Sequence, residues 1–171
     1  MQTRPALAAL ERRGYRAYLA GMLNKLLLLF RDPEAEVDLS DEEEREAVAA
    51  ILVEAANADD DYDASERSVI DRVLARRYDL SNEEARTLRG RGEAAQEAAT
   101  DLVRFTQAVK RVIPHEHRIG VIEDVWEVTF ADGNRDHMEN ALVRRLCGLL
   151  YVADRDAGLA RQRVEGRLGR A

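Results

Sequence analysis

Apolar residues recur along most of the chain at intervals of three and four, the spacing that places side chains on one face of an α-helix. The clearest such face combines Ala47, Val48, Ile51, Leu52 and Ala55. No stretch alternates strictly between apolar and polar residues, so the pattern predicts no β-strands. We therefore predict an all-α protein, a compact bundle of about seven to eight helices.

Capping boxes mark the starts of several predicted helices. In such a box a serine or aspartate precedes a glutamate by three positions, and each side chain accepts a hydrogen bond from the backbone N–H of the other residue. Pairs with this spacing are Ser40/Glu43, Asp63/Glu66 and Ser81/Glu84. They predict the starts of the second, third and fourth helices.

Glycine and proline mark further boundaries. Gly90 and Gly92 are expected to end or bend the fourth helix, and Pro114 to stop the fifth. A sixth helix is predicted from about His115 to Phe130, and the last one from about Gly158 to Leu168.

The sequence contains an internal repeat. Segment 54–66 aligns with segment 127–139 when the chain is shifted by 73 positions, from 54 to 127. Five residues of the first segment then meet their own kind: Glu54, Ala58, Asp59, Asp63 and Glu66. The repeated unit is a helix, an acidic loop and a second helix, and its double use indicates a duplication of helical hairpins.

Both acidic loops place oxygen donors at alternate positions. They carry Asp59, Asp61, Asp63 and then Glu66, and Asp132, Asn134, Asp136 and then Glu139. Alternate side chains of a tight turn can converge on one point, and calcium accepts about six to eight such oxygens. We therefore predict a divalent cation at these loops, with calcium as the first choice and magnesium or zinc as alternatives.

The loops differ from the EF-hand calcium loop. The sixth position holds Ala64 or His137 where an EF-hand needs glycine, and the twelfth holds Ile70 or Val143 where glutamate should close the site. An ion bound here would use a shorter loop, with the glutamate seven positions on as the closing ligand.

A second interpretation of the same residues needs no ion. Asp63/Glu66 and Asp136/Glu139 are explained equally well as helix caps. In that interpretation Asp59 and its counterpart in the second loop, Asp132, each close the preceding helix and point to water. Spacing leaves both interpretations open.

Charge is unevenly distributed along the 171 residues, whose formal net charge is −7. In residues 1–31, six basic side chains against Glu11 give +5, which leaves −12 for the remainder. A body this acidic makes a poor nucleic-acid binder, because phosphate contacts need a basic footprint.

Apolar runs are too short for a transmembrane helix. The N-terminal candidate, Leu26–Phe30 with Met22 and Leu23 before it, is interrupted by Asn24 and Lys25 and falls far short of the ~20 residues needed, and no small-residue cleavage site follows it. The single cysteine, Cys147, lies in an apolar stretch and is expected to be a buried, inert thiol. These features predict a cytoplasmic protein, and an anionic membrane surface contacted by the basic N-terminal helix is an alternative.

Catalytic motifs are not recognisable in the sequence. The run His115-Glu116-His117 lacks the HExxH spacing that would place two histidines on one helix face. There is no phosphate-binding loop and no convincing nucleophile–base set, so we expect no enzyme activity. A metal-dependent hydrolase that uses the acidic loops is a further alternative; it would need open coordination positions and a substrate cleft, and the sequence indicates neither.

The unit helix–Ala-Asp-(Gly)-x-x-x-x-x-Glu–helix, used twice in a helical chain of this length, resembles the TerB (tellurite-resistance) family and also the N-terminal domain of the co-chaperone DjlA. The similarity covers about Met22 to Leu150. From this extent we predict a basic helical extension at 1–21 and a helical domain at 22–171, with Met22 as an alternative start of the protein. The resemblance implies a bundle of about seven helices, an acidic surface linked to divalent-metal binding, a bacterial stress response, protein partners and no enzyme activity.

By position, the family's acidic residues correspond to Asp59, Asp63, Glu66, Asp132, Asp136 and Glu139. The first loop departs from the pattern at Asp60, where the second loop has the usual glycine, Gly133. The first turn is therefore under more backbone constraint.

Overall fold

Helices account for the regular structure of the described chain. The computed structural model describes residues 41–59, 62–98, 102–131 and 137–169. Its helices are α1 (Asp41–Ala56), α2 (Ala64–Tyr78), α3 (Asn82–Ala98), α4 (Leu102–Val112), α5 (Ile119–Thr129), α6 (His137–Leu150) and α7 (Asp154–Arg167), with 3₁₀ turns at Asn57–Asp59 and His115–His117. No strand occurs in these ranges, and the all-α prediction is confirmed. The predicted basic N-terminal helix and the boundary between residues 21 and 22 lie outside the described residues.

Two of the predicted capping boxes form as expected. Asp63 is the N-cap of α2 and makes a complete box with Glu66. Before α3, the backbone N–H of Ser81 donates to Glu84 Oε2 at 2.8 Å, and the N–H of Glu84 donates to Ser81 Oγ at 3.3 Å. Each box satisfies backbone donors that the first helical turn would otherwise leave unpaired. Ser40, from the remaining predicted box Ser40/Glu43, lies outside the described residues.

Helix α1 forms the centre of the core. It packs against α2, α3, α4 and α5, and Val48, Ile51 and Leu52 are completely buried. A helix surrounded by others in this way is apolar on nearly every side. Full burial of each such side chain stabilises the fold by about 1.5–3 kcal/mol as an upper estimate.

Gly90 and Gly92 do not end the fourth predicted helix, because α3 continues through both of them to Ala98. A Cβ added at Gly92 would lie 2.7 Å from the carbonyl carbon and from the Cβ of Ala49. Gly92 thus allows the backbones of α1 and α3 to approach closely. The packing gained at this crossing offsets the roughly 1 kcal/mol that glycine costs inside a helix.

The predicted sixth helix begins later than expected. The N–H groups of His117 and Arg118 bond three residues back, to the carbonyls of Pro114 and His115, and form a 3₁₀ turn before α5. The last helix instead begins earlier than expected, at Asp154. Its first turn contains two aspartates, and carboxylates there are favoured by the positive end of the helix dipole.

Arg118, between the 3₁₀ turn and α5, connects the ends of two other helices. Its Nε and Nη2 donate to the carbonyls of Ile113 and Lys110 at the end of α4, each at 3.0 Å. Its Nη1 donates to the carbonyl of Leu150, the last residue of α6, at 3.5 Å. A cation at a helix C-terminus satisfies unpaired carbonyls and opposes the negative end of the dipole.

The prediction of a buried thiol is confirmed. Cys147 is 3% exposed, and burial raises the pKa of its thiol to about 11. A thiol this hard to ionise is a poor nucleophile. In the part of the chain that the structure describes, no helix has the length and apolar character needed to span a membrane.

Candidate functional site: the acidic loops

The first acidic loop ends in the capping box of α2. Asp63 has an extended backbone, and its Oδ1 accepts hydrogen bonds from the N–H groups of Ser65 at 2.7 Å and Glu66 at 3.0 Å. Hydrogen bonds from the Glu66 and Ser65 backbones lower the pKa of the Asp63 carboxyl. The predicted capping box is therefore confirmed for this pair, and its hydrogen bonds favour the charged form of the Asp63 carboxyl.

Glu66 brings a second carboxylate to the same end of the loop. Its Oε2 accepts the backbone N–H of Asp63 at 3.0 Å, and the residue is only 6% exposed. The side chain therefore turns back toward the loop and not outward into solvent. Two carboxylates, one exposed and one buried, thus stand together where the loop meets α2.

Tyr62 ties the first loop to the neighbouring helix. Its hydroxyl donates to Glu93 Oε1 on α3 at 2.7 Å, and the Arg89 guanidinium donates to the same oxygen. The Arg67 guanidinium lies 4.7 Å from the centre of the Tyr62 ring. Burial, followed by the neighbouring Glu93, raises the pKa of the Tyr62 phenol. The loop residue beside Asp63 is consequently held by both α2 and α3.

The start of the first loop is held by α3 and α6. Glu54, the first residue of the repeated unit, accepts a hydrogen bond from Gln96 Nε2 on α3 at 2.8 Å. The 3₁₀ turn Asn57–Asp59 contacts α6. Since α6 is the helix that follows the second acidic loop, the opening of the first loop lies against the second copy of the repeat.

Most of the predicted ligands lie outside the described part. Asp61, Asp132, Asn134 and Asp136 are not described, and neither are the side chains of Asp59 and Glu139. Of the eight predicted ligands, the structure therefore places the side chains of Asp63 and Glu66 and brings these two together. That the remaining six donors gather around an ion stays a prediction.

Within the described ranges, no three His, Cys, Asp or Glu side chains are grouped so that they could hold a metal ion. His115 and His117 are exposed in the 3₁₀ turn before α5. The Nε2 atom of His115 lies 2.9 Å from the carbonyl oxygen of Tyr151, an interaction that belongs to the scaffold.

Sequence reasoning missed a cluster of charged residues between α2 and α5. Asp124 is buried, and its Oδ1 and Oδ2 accept hydrogen bonds from Arg76 at 3.1 Å and Arg77 at 2.6 Å. Desolvation raises the pKa of Asp124, although both guanidiniums oppose this shift. Arg76 also donates to Glu127 Oε1 at 2.9 Å. The detectable signal was a set of carboxylates three and four positions apart in the otherwise apolar α5.

The fold and the loops together define a class of protein: an all-helical domain containing the unit helix–acidic loop–helix. The family model described as tellurite resistance protein TerB matches residues 45–162, and the chain belongs to this family. Both acidic loops lie within the match, and the predicted family resemblance is confirmed. No curated protein and no solved structure shows significant similarity to the chain.

Proposed function

We propose that this protein is a non-catalytic interaction module of a stress response, whose two acidic loops bind a divalent cation, calcium in the first place. The tellurite-resistance family supports the stress-response part of the proposal. The ion part depends on the four donors of each loop: Asp59, Asp61, Asp63 and Glu66, and Asp132, Asn134, Asp136 and Glu139.

The observation that carries the proposal is the arrangement of Asp63 and Glu66. The Glu66 carboxylate bonds the loop backbone at Asp63, so the side chain at the predicted closing position is turned toward the loop. Hydrogen bonds keep the neighbouring Asp63 ionised. Hard cations such as calcium take ionised carboxylate oxygens held in a turn.

Electrostatic repulsion supports the proposal independently. Two carboxylates ~4 Å apart repel by about 4 kcal/mol at an effective dielectric constant of about 20. Asp59, Asp60, Asp61 and Asp63 stand within five positions of the chain. A bound dication would relieve this repulsion and make the surface less acidic, which provides a physical route from ion binding to the choice of a protein partner.

A metal titration tests the ion part. Calcium, magnesium and zinc are added separately to the full chain, with binding followed by calorimetry and unfolding by circular dichroism. Calcium at about 100 times its dissociation constant should stabilise the fold by about 2.7 kcal/mol, a rise of roughly 5–10 °C in Tm for a chain of this size.

Matched variants locate the site. Asp59→Asn and Asp132→Asn should each remove the gain from one loop while keeping the side-chain size. Glu84→Gln is the control, because Glu84 belongs to a capping box outside both loops and should leave the gain intact. No change in Tm at millimolar metal would refute the ion site, and an equal loss in the Glu84→Gln variant would show that the metal acts elsewhere.

A further inference from the structure

The last helix, α7, contributes little to the apolar core. Its buried residues are Ala160 and Val164, both small. Leu159 and Leu168, the larger apolar side chains of this region, are 42% and 40% exposed. By contrast, α1 buries side chains on nearly every side. Apolar contact scales with the area buried, so it holds α7 far less firmly than it holds α1.

Charged side chains supply further contacts of α7 with α5. Arg163 Nη2 lies 2.6 Å from Glu123 Oε1, and Arg167 Nη2 lies 2.9 Å from Glu127 Oε2. The Arg161 guanidinium lies 5.1 Å from the centre of the Trp126 ring. The side chains of Arg163 and Arg167 are 52% and 43% exposed, so dissolved salt can screen their ion pairs.

Detachment of α7 would leave the carboxylates of α5 paired or hydrated. Glu127 would keep its ion pair with Arg76, and Asp124 would keep those with Arg76 and Arg77. Glu123, whose side chain is already 21% exposed, would be solvated by water. The large cost of a buried, unpaired charge is therefore avoided.

We propose that α7 is a displaceable strap, which closes on α5 through the pairs Arg163–Glu123 and Arg167–Glu127 and leaves the folded domain when those pairs are screened. The short segment Tyr151–Ala153 separates it from α6 and would act as the hinge. Both arginines lie beyond residue 162, where the family match ends, while the first part of α7 lies inside the match.

Hydrogen exchange of the full chain, measured by mass spectrometry at low and high salt, tests the strap. Raising sodium chloride from about 0.1 M to about 1 M shortens the Debye length from about 10 Å to about 3 Å. Amides of α7 should then exchange about tenfold faster, because both exposed ion pairs are weakened, while α1 keeps its protection. The single tryptophan, Trp126, should shift its emission to longer wavelength as α7 leaves.

Charge variants give the second arm of the test. Arg163→Gln combined with Arg167→Gln should produce the fast exchange of α7 already at low salt. Arg155→Gln changes an exposed arginine of the same helix and should not. The strap is refuted if α7 keeps the protection of α1 at every salt concentration, or if α1 and α7 lose protection together, because α7 would then be an integral part of the fold.

Discussion

Two sides of the molecule hold their helices together by different means. Around α1, contact is apolar and close, as at the crossing with α3, where Gly92 meets Ala49. Around α5, guanidiniums from α2 and α7 meet carboxylates, as between Arg77 and Asp124. The difference teaches that one small domain can combine apolar contacts, which need no charged groups, with ion pairs that dissolved salt can screen.

The largest expected effect comes from removing the buried carboxylate of the charged side. Asp124→Ala leaves Arg77, whose side chain is 17% exposed, without its ion-pair partner. We expect a loss of about 3–5 kcal/mol in the free energy of unfolding, measured by urea denaturation. Glu42→Ala is the control, because its pair with Arg91 is exposed and should contribute about 0–1 kcal/mol. Equal losses in the two variants would contradict the distinction between buried and surface pairs.

A smaller effect is expected from the apolar side. Gly92→Ala places a Cβ 2.7 Å from the Ala49 backbone, so α1 and α3 must move apart, at a cost of about 1–3 kcal/mol. Gly90→Ala adds the same methyl group to the same helix with no atom within 4 Å. It should stabilise the protein by about 0.5–1 kcal/mol. In thermal unfolding, Gly92→Ala should lower the Tm and Gly90→Ala should raise it. A Gly92→Ala variant with a raised Tm would exclude a close crossing of α1 and α3.

The smallest effect is a difference in pH dependence. Glu44 on α1 is buried, and burial raises its pKa above 4.5, although the hydrogen bond donated by the Tyr78 hydroxyl lowers it. A carboxyl whose pKa is higher in the folded state adds stability as pH falls and loses it as pH rises. A Glu44→Gln variant should therefore gain most in stability over the natural chain near neutral pH, and this gain should shrink on acidification.

Glu84 gives the opposite trend and serves as the control. Hydrogen bonds from the Ser81 side chain and backbone lower its pKa, so its contribution is present above the unfolded pKa and lost as pH falls through the folded one. The natural chain should have a higher melting temperature than the Glu84→Gln variant at neutral pH, and this difference should disappear in acid. Melting temperatures recorded between about pH 2.5 and 7 check both trends, and parallel curves would contradict the assigned shifts.

Local chemistry explains which parts of the fold were predictable. The apolar face from Ala47 to Ala55 and the caps at Asp63 and Ser81 depend on residues within one or two helical turns, so spacing predicts them. Gly92 reads locally as a helix breaker, and only its contact with Ala49, 43 positions away from 49 to 92, gives it another role. Tertiary packing outweighs local propensity there.

The candidate site was predictable to a lesser extent. The repeat located both acidic loops, and the capping role of Asp63 and Glu66 followed from their spacing. Oxygen donors at alternate positions fit both an ion site and a pair of helix caps, so spacing alone does not decide between the two interpretations. The support from Tyr62 and Glu93 joins residues 31 positions apart, as the ion pairs of Asp124 join distant parts of the chain, and hydrophobic periodicity carries no information on such partners.

Arg118 makes the ends of α4 and α6 depend on each other. Because one guanidinium donates to carbonyls of Lys110, Ile113 and Leu150, fraying at either helix end removes partners from the side chain that also holds the other. Lysine could not replace it, since a single ammonium lacks the planar fork that spans these acceptors. Two helix ends that are far apart in the sequence therefore share one cooperative step of local unfolding.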